Sequence, residues 1–218
     1  MVMEWTAEAE NAVRKVPFFV RKKVRSRVEA HAGHHGKTVV DIADVRAAKD
    51  QYMKNMDAEV RGYRLDACFG PEGCPNRACE SRQLMQRIEA LLEEKDLRTF
   101  LKQQVNGPLK FHHEFRVTVA DCPNACSQPQ IKDIGIIGAA RPVVTDAECS
   151  FCGECEQSCR EAAVLLDAGQ QRPVIEYNRC INCGLCARAC STGSIVTDTT
   201  GFRVLVGGKL GRHPRLAQ

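Results

Sequence analysis

Apolar residues recur every three or four positions through the first 60 residues, and the period then changes. Thr6 precedes a short helical stretch that must stop before Pro17, whose ring cannot join a helix interior. Val20, Val24 and Val28 form the apolar stripe of a second helix, which ends near Gly33 and Gly36. Asp41 stands where an N-cap belongs, ahead of Ile42, Val45, Tyr52 and Met56 on a third helix. A further helix is predicted from Glu80 to Leu101, with Leu84, Ile88, Leu91 and Leu92 on its buried side. Phe111 to Ala120 alternates and predicts a strand running into Cys122, and Ile134, Ile136 and Ile137 predict another. Gly201 to Gln218 returns to a strand and a Gly-rich basic tail.

Composition narrows the class. At 218 residues the chain has room for one or two domains, and 44% hydrophobic with 27% charged residues predicts a soluble, globular protein. No apolar run approaches the roughly 20 residues that cross a membrane. Met1-Val2-Met3-Glu4-Trp5 lacks the features of a secretory signal, so a cytoplasmic location is expected. There, close cysteines are metal ligands or catalytic thiols more often than disulfides. The basic run Arg21-Lys22-Lys23, Arg25, Arg27 lies in a helical pattern and reads as a solvated face, so neither a nucleic-acid nor a membrane partner is expected. His31, His34 and His35 sit at a helix end, where histidines are ordinary surface residues.

Cysteine placement carries the chemistry. Twelve of the thirteen cysteines fall into three groups of four, and Cys79 is left over as a buried or spare thiol. Cys149, Cys152, Cys155 and Cys159 read C-x2-C-x2-C-x3-C, and Cys180, Cys183, Cys186 and Cys190 repeat the pattern. Three thiolates on one tight loop reach three corners of a cubane, while the fourth points away to the other cluster. By that rule Cys149, Cys152, Cys155 and Cys190 hold one 4Fe–4S cluster, and Cys180, Cys183, Cys186 and Cys159 hold a second. Zinc sites favour paired C-x2-C instead. Gly153 and Gly184 occupy equivalent places, where a missing side chain lets backbone N–H groups approach sulfur. The pattern is similar to bacterial two-cluster ferredoxins, although Arg160 and Ser191 stand where those usually carry proline. Counting twelve thiolates and three 2+ cores moves the formal charge from +4 to about −2.

The third group is Cys68-x5-Cys74 with Cys122-x3-Cys126. With Arg116-Val-Thr-Val-Ala-Asp-Cys122-Pro-Asn-Ala-Cys126-Ser-Gln-Pro-Gln and Asp133-Ile-Gly-Ile-Ile-Gly138, it resembles the signature of siroheme-dependent sulfite and nitrite reductases. The tail Val206-Gly-Gly-Lys-Leu-Gly-Arg-His-Pro-Arg215 is similar to a segment of dissimilatory-type sulfite reductases, in which a ferredoxin domain is inserted at the corresponding place. With one copy of the reductase repeat, the chain resembles the small single-repeat sulfite reductases. Separately, Trp5-Thr6-Ala7-Glu8-Ala9 and Val16-Pro17-Phe18-Phe19-Val20-Arg21 resemble a helical domain at the C-terminus of one subunit of light-independent protochlorophyllide reductase.

These resemblances imply an α+β fold: a helical N-terminal domain over 1–60, an α/β siroheme and 4Fe–4S domain over 61–142 and 201–218, and an inserted ferredoxin-like domain with two 4Fe–4S clusters over 143–200. They imply siroheme and three 4Fe–4S clusters, with Cys68, Cys74, Cys122 and Cys126 as ligands and Cys126 also bridging to the siroheme iron. Siroheme carries several carboxylates, which call for arginine forks. Arg64, Arg116, Arg212, Arg215 and Asn124 are the candidates to bind it, and Arg77, Arg116, Lys132 and Lys209 to hold the oxyanion. For each basic residue a plain surface role is the competing reading, as it is for His112, His113 and His213. The implied activity is six-electron reduction of sulfite to sulfide, fed by a low-potential donor such as ferredoxin or another redox protein. Reduction of nitrite to ammonia is the near alternative, and a three-cluster electron carrier without siroheme the distant one. A single repeat completes its pocket as a homodimer or works with a more open one.

Overall fold

Thr6 starts the first helix: its backbone is extended and its hydroxyl accepts from the Ala9 N–H at 3.3 Å. In this computed structural model, which describes residues 3–218, α1 runs Ala7–Arg14, α2 Phe18–His34 and α3 Ile42–Glu59. Asp41 and Asp44 close a reciprocal capping box at the start of α3. Short strands β1 (Glu4–Trp5) and β2 (Val39–Val40) pair in parallel. Ala9, Val28, Ala32 and Val40 form the core here, with Trp5, Val24, Val45 and Ala48 against them. The valine stripe of α2 is therefore its packed face.

The chain divides into two compact units. One comprises the described residues up to Arg61 together with Arg98–Glu114, and the other Gly62–Leu97 with Phe115–Gln218. In the first, Leu109 is buried and its N–H bonds Asp57 at 3.0 Å, while Arg98 donates to the carbonyls of Ala58 and Val60.

Two expectations give way to local geometry. The helix predicted over Glu80 to Leu101 is two helices, α4 (Arg82–Glu94) and α5 (Leu97–Gln104), separated where Asp96 takes φ 43°. Aspartate tolerates that left-handed conformation better than most residues. The strand predicted from Phe111 starts later. Phe111–His113 form a 3-10 turn in which the Lys110 N–H bonds His113 Nδ1 at 3.1 Å, a side-chain contact that competes with a strand ladder.

In the second unit, β3 (Tyr63–Ala67), β4 (Phe115–Ala120) and β5 (Ile134–Val144) lie in parallel. The chain then leaves the sheet through α6 (Glu154–Ser158), the antiparallel pair β6 (Val164–Asp167) and β7 (Arg172–Ile175), and α7 (Leu185–Ala189). It returns as β8 (Ile195–Val206), antiparallel to β5, giving the order β3-β4-β5-β8. Leu65, Val117, Val119 and Ile136 pack on one sheet face against Leu84, Met85, Ile88 and Leu92, all from α4. The excursion has its own core of Cys155, Val164, Ile175, Cys186 and Ile195. The whole is the α+β mixture expected, and among the described residues no helix is long and apolar enough to cross a membrane.

Candidate metal centres

The two cysteine runs wind into matching loop–helix corners. Gly153 and Gly184 take left-handed backbone, φ 81° and 70°, immediately ahead of α6 and α7. Cys149, Cys152, Cys155 and Cys190 line one cavity. Cys159, Cys180, Cys183 and Cys186 line another, so the last cysteine of each run turns toward the cavity of the other. Thiol chemistry follows the same grouping. Burial pushes Cys155 up, and Cys149 and Cys190 add to the rise. Burial pushes Cys186 up to about 11, with Cys183, Cys180 and Cys159 adding to it. Such thiols stay protonated unless a metal takes the charge.

The third group forms around the end of β4. Cys68 Sγ accepts from the N–H groups of Gly70 at 3.2 Å and Asp121 at 3.3 Å. Cys126 is exposed, and its Sγ accepts from Asn124 Nδ2 at 2.9 Å. Burial pushes the Cys122 thiol up, the Asn124 N–H opposes this, and the thiols of Cys68, Cys126 and Cys74 add to the rise. Four sulfurs thus share one electrostatic neighbourhood. Among the described residues no three His, Cys, Asp or Glu side chains converge on a point that would chelate a single ion. Soft sulfur donors in sets of four, some with N–H groups aimed at sulfur, fit iron–sulfur clusters.

The basic candidates separate. Arg64 and Arg116 are cross-strand neighbours on β3 and β4, and alternation puts both on the sheet face opposite α4. Arg64 Nε bonds Asp66 at 3.0 Å, and Lys132 Nζ lies 3.9 Å from the same carboxylate. The Arg116 N–H is held by Asp133 at 2.8 Å. The tail folds back through a bridge between Lys209 and Arg215, and Arg215 Nε donates to the Gly207 carbonyl. Ala217 N–H bonds the Gln130 carbonyl at 2.7 Å, which seats this tail on the segment before Lys132. Arg212 is exposed. Arg77 stands apart from Arg64 and Arg116, ion-paired to Glu80 at 2.8 Å.

Sequence reasoning missed Asp66, which sits between Arg64 and Lys132, and Asn76, which lines the cavity of the second run. It also missed Asp121. This residue is 1% exposed, and neither carboxylate oxygen has a hydrogen-bond partner. Burial pushes its pKa up; the nearby Ser81 hydroxyl opposes this without reaching hydrogen-bond geometry. An acidic residue between a buried strand and a cysteine was the available signal. Cys79 donates to the carbonyls of Ala139 at 3.3 Å and Gly201 at 3.0 Å, a structural role.

Comparison with known proteins places these features. Residues 61–218 match the family model described as the nitrite and sulphite reductase 4Fe-4S domain, and residues 5–49 match that of the proto-chlorophyllide reductase 57 kD subunit. The chain is 34% identical over 190 residues to the coenzyme F420-dependent sulfite reductase of Methanocaldococcus jannaschii, covering 85% of this chain and 28% of that protein. It is 27% identical over 139 residues to one component of the anaerobic sulfite reductase of Salmonella typhimurium, covering 57% of this chain and 36% of that one. Residues in the N-terminal part are 54% identical over 48 residues to one component of the light-independent protochlorophyllide reductase of Chlorobium limicola, 22% of this chain and 9% of that one. The chain spans only about a third or less of the length of these relatives. Because the reductase model covers residues 61–218, with all twelve grouped cysteines inside it, the chain belongs to the nitrite and sulphite reductase 4Fe-4S domain family.

Proposed function

We propose that this chain works in a siroheme-dependent sulfite reductase, in which six electrons convert sulfite to sulfide and water. Sulfite is favoured over nitrite because the relatives matched along the reductase part are named as sulfite reductases.

In this reading Cys68, Cys74, Cys122 and Cys126 would hold one 4Fe–4S cluster, and Cys126, whose sulfur is exposed, would be the residue that also holds the siroheme. The sets Cys149, Cys152, Cys155, Cys190 and Cys159, Cys180, Cys183, Cys186 hold two more, making 143–200 a ferredoxin-like insertion within a reductase domain of 61–142 and 201–218. When bound, these groups would supply low-potential electrons and a Lewis-acidic iron for the reduction. The side chains do the rest. The Asn124 amide steadies the Cys126 sulfur. Arg64 and Arg116 offer forks to the macrocycle carboxylates, with Arg212 and Arg215 on the tail extending that surface. Lys132, Lys209 and Arg116 supply positive charge for an oxyanion that loses its oxygens. The ion pair of Arg77 with Glu80 favours a structural role for that residue. The donor is a low-potential redox protein such as ferredoxin.

The test is an anaerobic visible spectrum of the purified protein with acid–acetone extraction of any macrocycle, followed by Cys126→Ser. A siroheme spectrum, lost with sulfite reduction in the variant while the ferredoxin-like clusters persist, is the expected result. A broad iron–sulfur shoulder alone, from a host that makes siroheme, would leave a three-cluster electron carrier instead.

A further inference from the structure

The two ferredoxin-like cavities differ in their neighbours. The one lined by Cys149, Cys152, Cys155 and Cys190 is walled by residues of the excursion between β5 and β8 and by Ile195, the first residue of β8. The one lined by Cys159, Cys180, Cys183 and Cys186 is also walled by Asn76 and by Cys122, Pro123 and Asn124, the turn that carries the third group. The second run therefore abuts the reductase site and the first does not. Cys152, in the first run, is exposed.

The second run is also fastened in place. The Ala140 N–H on β5 donates to the Asn182 carbonyl at 2.7 Å, and Ala140 bridges Cys183. Gly184 fits because it has no side chain: a Cβ there would stand 2.8 Å from that of Ala140, at a φ of +70°. From α7, Arg188 Nη1 donates to the Arg77 carbonyl at 2.6 Å. Arg77 lies between Cys74 and Cys79, so this bond ties the helix bearing Cys186 to the loop bearing Cys74.

We propose that Arg188, with the Ala140–Gly184 contact, is the positioning device of an electron-transfer junction, across which the Cys159–Cys180–Cys183–Cys186 centre faces the Cys122–Cys126 turn. The Cys149 centre is then the inlet, and electrons reach the reductase site only through the second run. The inference rests on the three-cluster reading above. Each transfer moves one electron from a low-potential one-electron donor, reduced ferredoxin, which is oxidised as the last acceptor is reduced. No bond is made or broken before the substrate.

The experiment uses the anaerobic holoprotein, reduced ferredoxin as donor, and freeze-quench EPR with stopped-flow absorbance to time the reduction of each centre. In Arg188→Ala, iron content and the potentials of all centres should stay unchanged. Arrival of electrons at the third centre should slow severalfold, because electron tunnelling weakens steeply as two centres move apart. Arg188→Lys, which keeps a donor, should restore most of the rate, and Ala140→Val, which pushes on Gly184 from the sheet, should slow it independently. Native transfer rates in both Arg188→Ala and Ala140→Val overturn the junction. So does a wild-type protein whose Cys149 centre is reduced after the third. A holoprotein with only the two ferredoxin-like centres defeats the functional reading itself, and the junction falls with it.

Discussion

Asp121 sets up a stability experiment with a definite sign. Its carboxylate is buried with no hydrogen-bond partner, one residue before Cys122, and tightly packed: a Cβ on Gly70 would stand 2.5 Å from its Oδ2. An unmet buried polar group costs about 1–3 kcal/mol, and more when charged. Burial raises the folded pKa above the unfolded value of about 3.9. The native state therefore binds more protons than the unfolded chain between those two values. Stability falls as pH rises from the unfolded value to the folded one and is level above it, the reverse of an ion-paired aspartate. A bound cluster with net negative charge would act in the same direction. Asp121→Asn removes the charge with little change of shape. Asparagine is still an unmet polar group, so only the added cost of the charge is recovered: at neutral pH the variant should gain on the order of 1 kcal/mol, roughly 2–4 °C in apparent melting temperature for a chain of this length. Thermal unfolding of the anaerobic holoprotein across the acidic range checks both points. A variant less stable than the native protein at neutral pH, or one that keeps the same downward slope with pH, would refute the reasoning.

Other substitutions probe the sheet and its basic face. Gly135→Ala places a Cβ 2.2 Å from the Pro129 carbonyl oxygen, and backbone cannot swing aside as a side chain can. Overpacking of this kind costs about 1–3 kcal/mol, so a lower melting temperature is expected, read by circular dichroism. Arg116→Gln should leave cysteine-bound iron unchanged and reduce the siroheme retained through gel filtration, measured by extraction; unchanged retention would remove Arg116 from the macrocycle site.

Much of the fold was legible because local chemistry and packing agreed. Thr6 and Asp41 mark helix starts by what their side chains accept, and Val24 and Val28 mark a buried face by spacing. The break at Asp96 was not legible, because Leu91, Leu92, Leu97 and Leu101 keep an apolar pattern on both sides of it. The start of β4 was misplaced because Phe111 and His113 alternate like strand residues, and only the ring of His113 meeting the Lys110 N–H shows that they turn. Leu109 looks like any loop leucine until its burial with the N-terminal helices is seen.

The candidate site divides along a similar line. Spacing within a loop is local, so the grouping of Cys149 to Cys159 and of Cys180 to Cys190 can be read from sequence alone. The approach of the Cys122–Asn124 turn to the second run depends on β4, β5 and the returning excursion, and no local pattern encodes it. The basic residues show the same limit. Arg77 and Arg116 are equivalent candidates on paper, yet one is neutralised by Glu80 and the other is set beside Arg64 by strand register. Like charges directly opposite on neighbouring strands destabilise a sheet. Here Arg64 and Lys132 share the Asp66 carboxylate, at 3.0 and 3.9 Å, while the Asp133 carboxylate holds the backbone N–H of Arg116. Three cations beside two carboxylates, Asp66 and Asp133, leave this face with a positive charge that an anionic ligand would offset. On the reading proposed above, a macrocycle with several carboxylates would meet that need more fully than a single oxyanion, with Arg116 and Lys132 left to serve both.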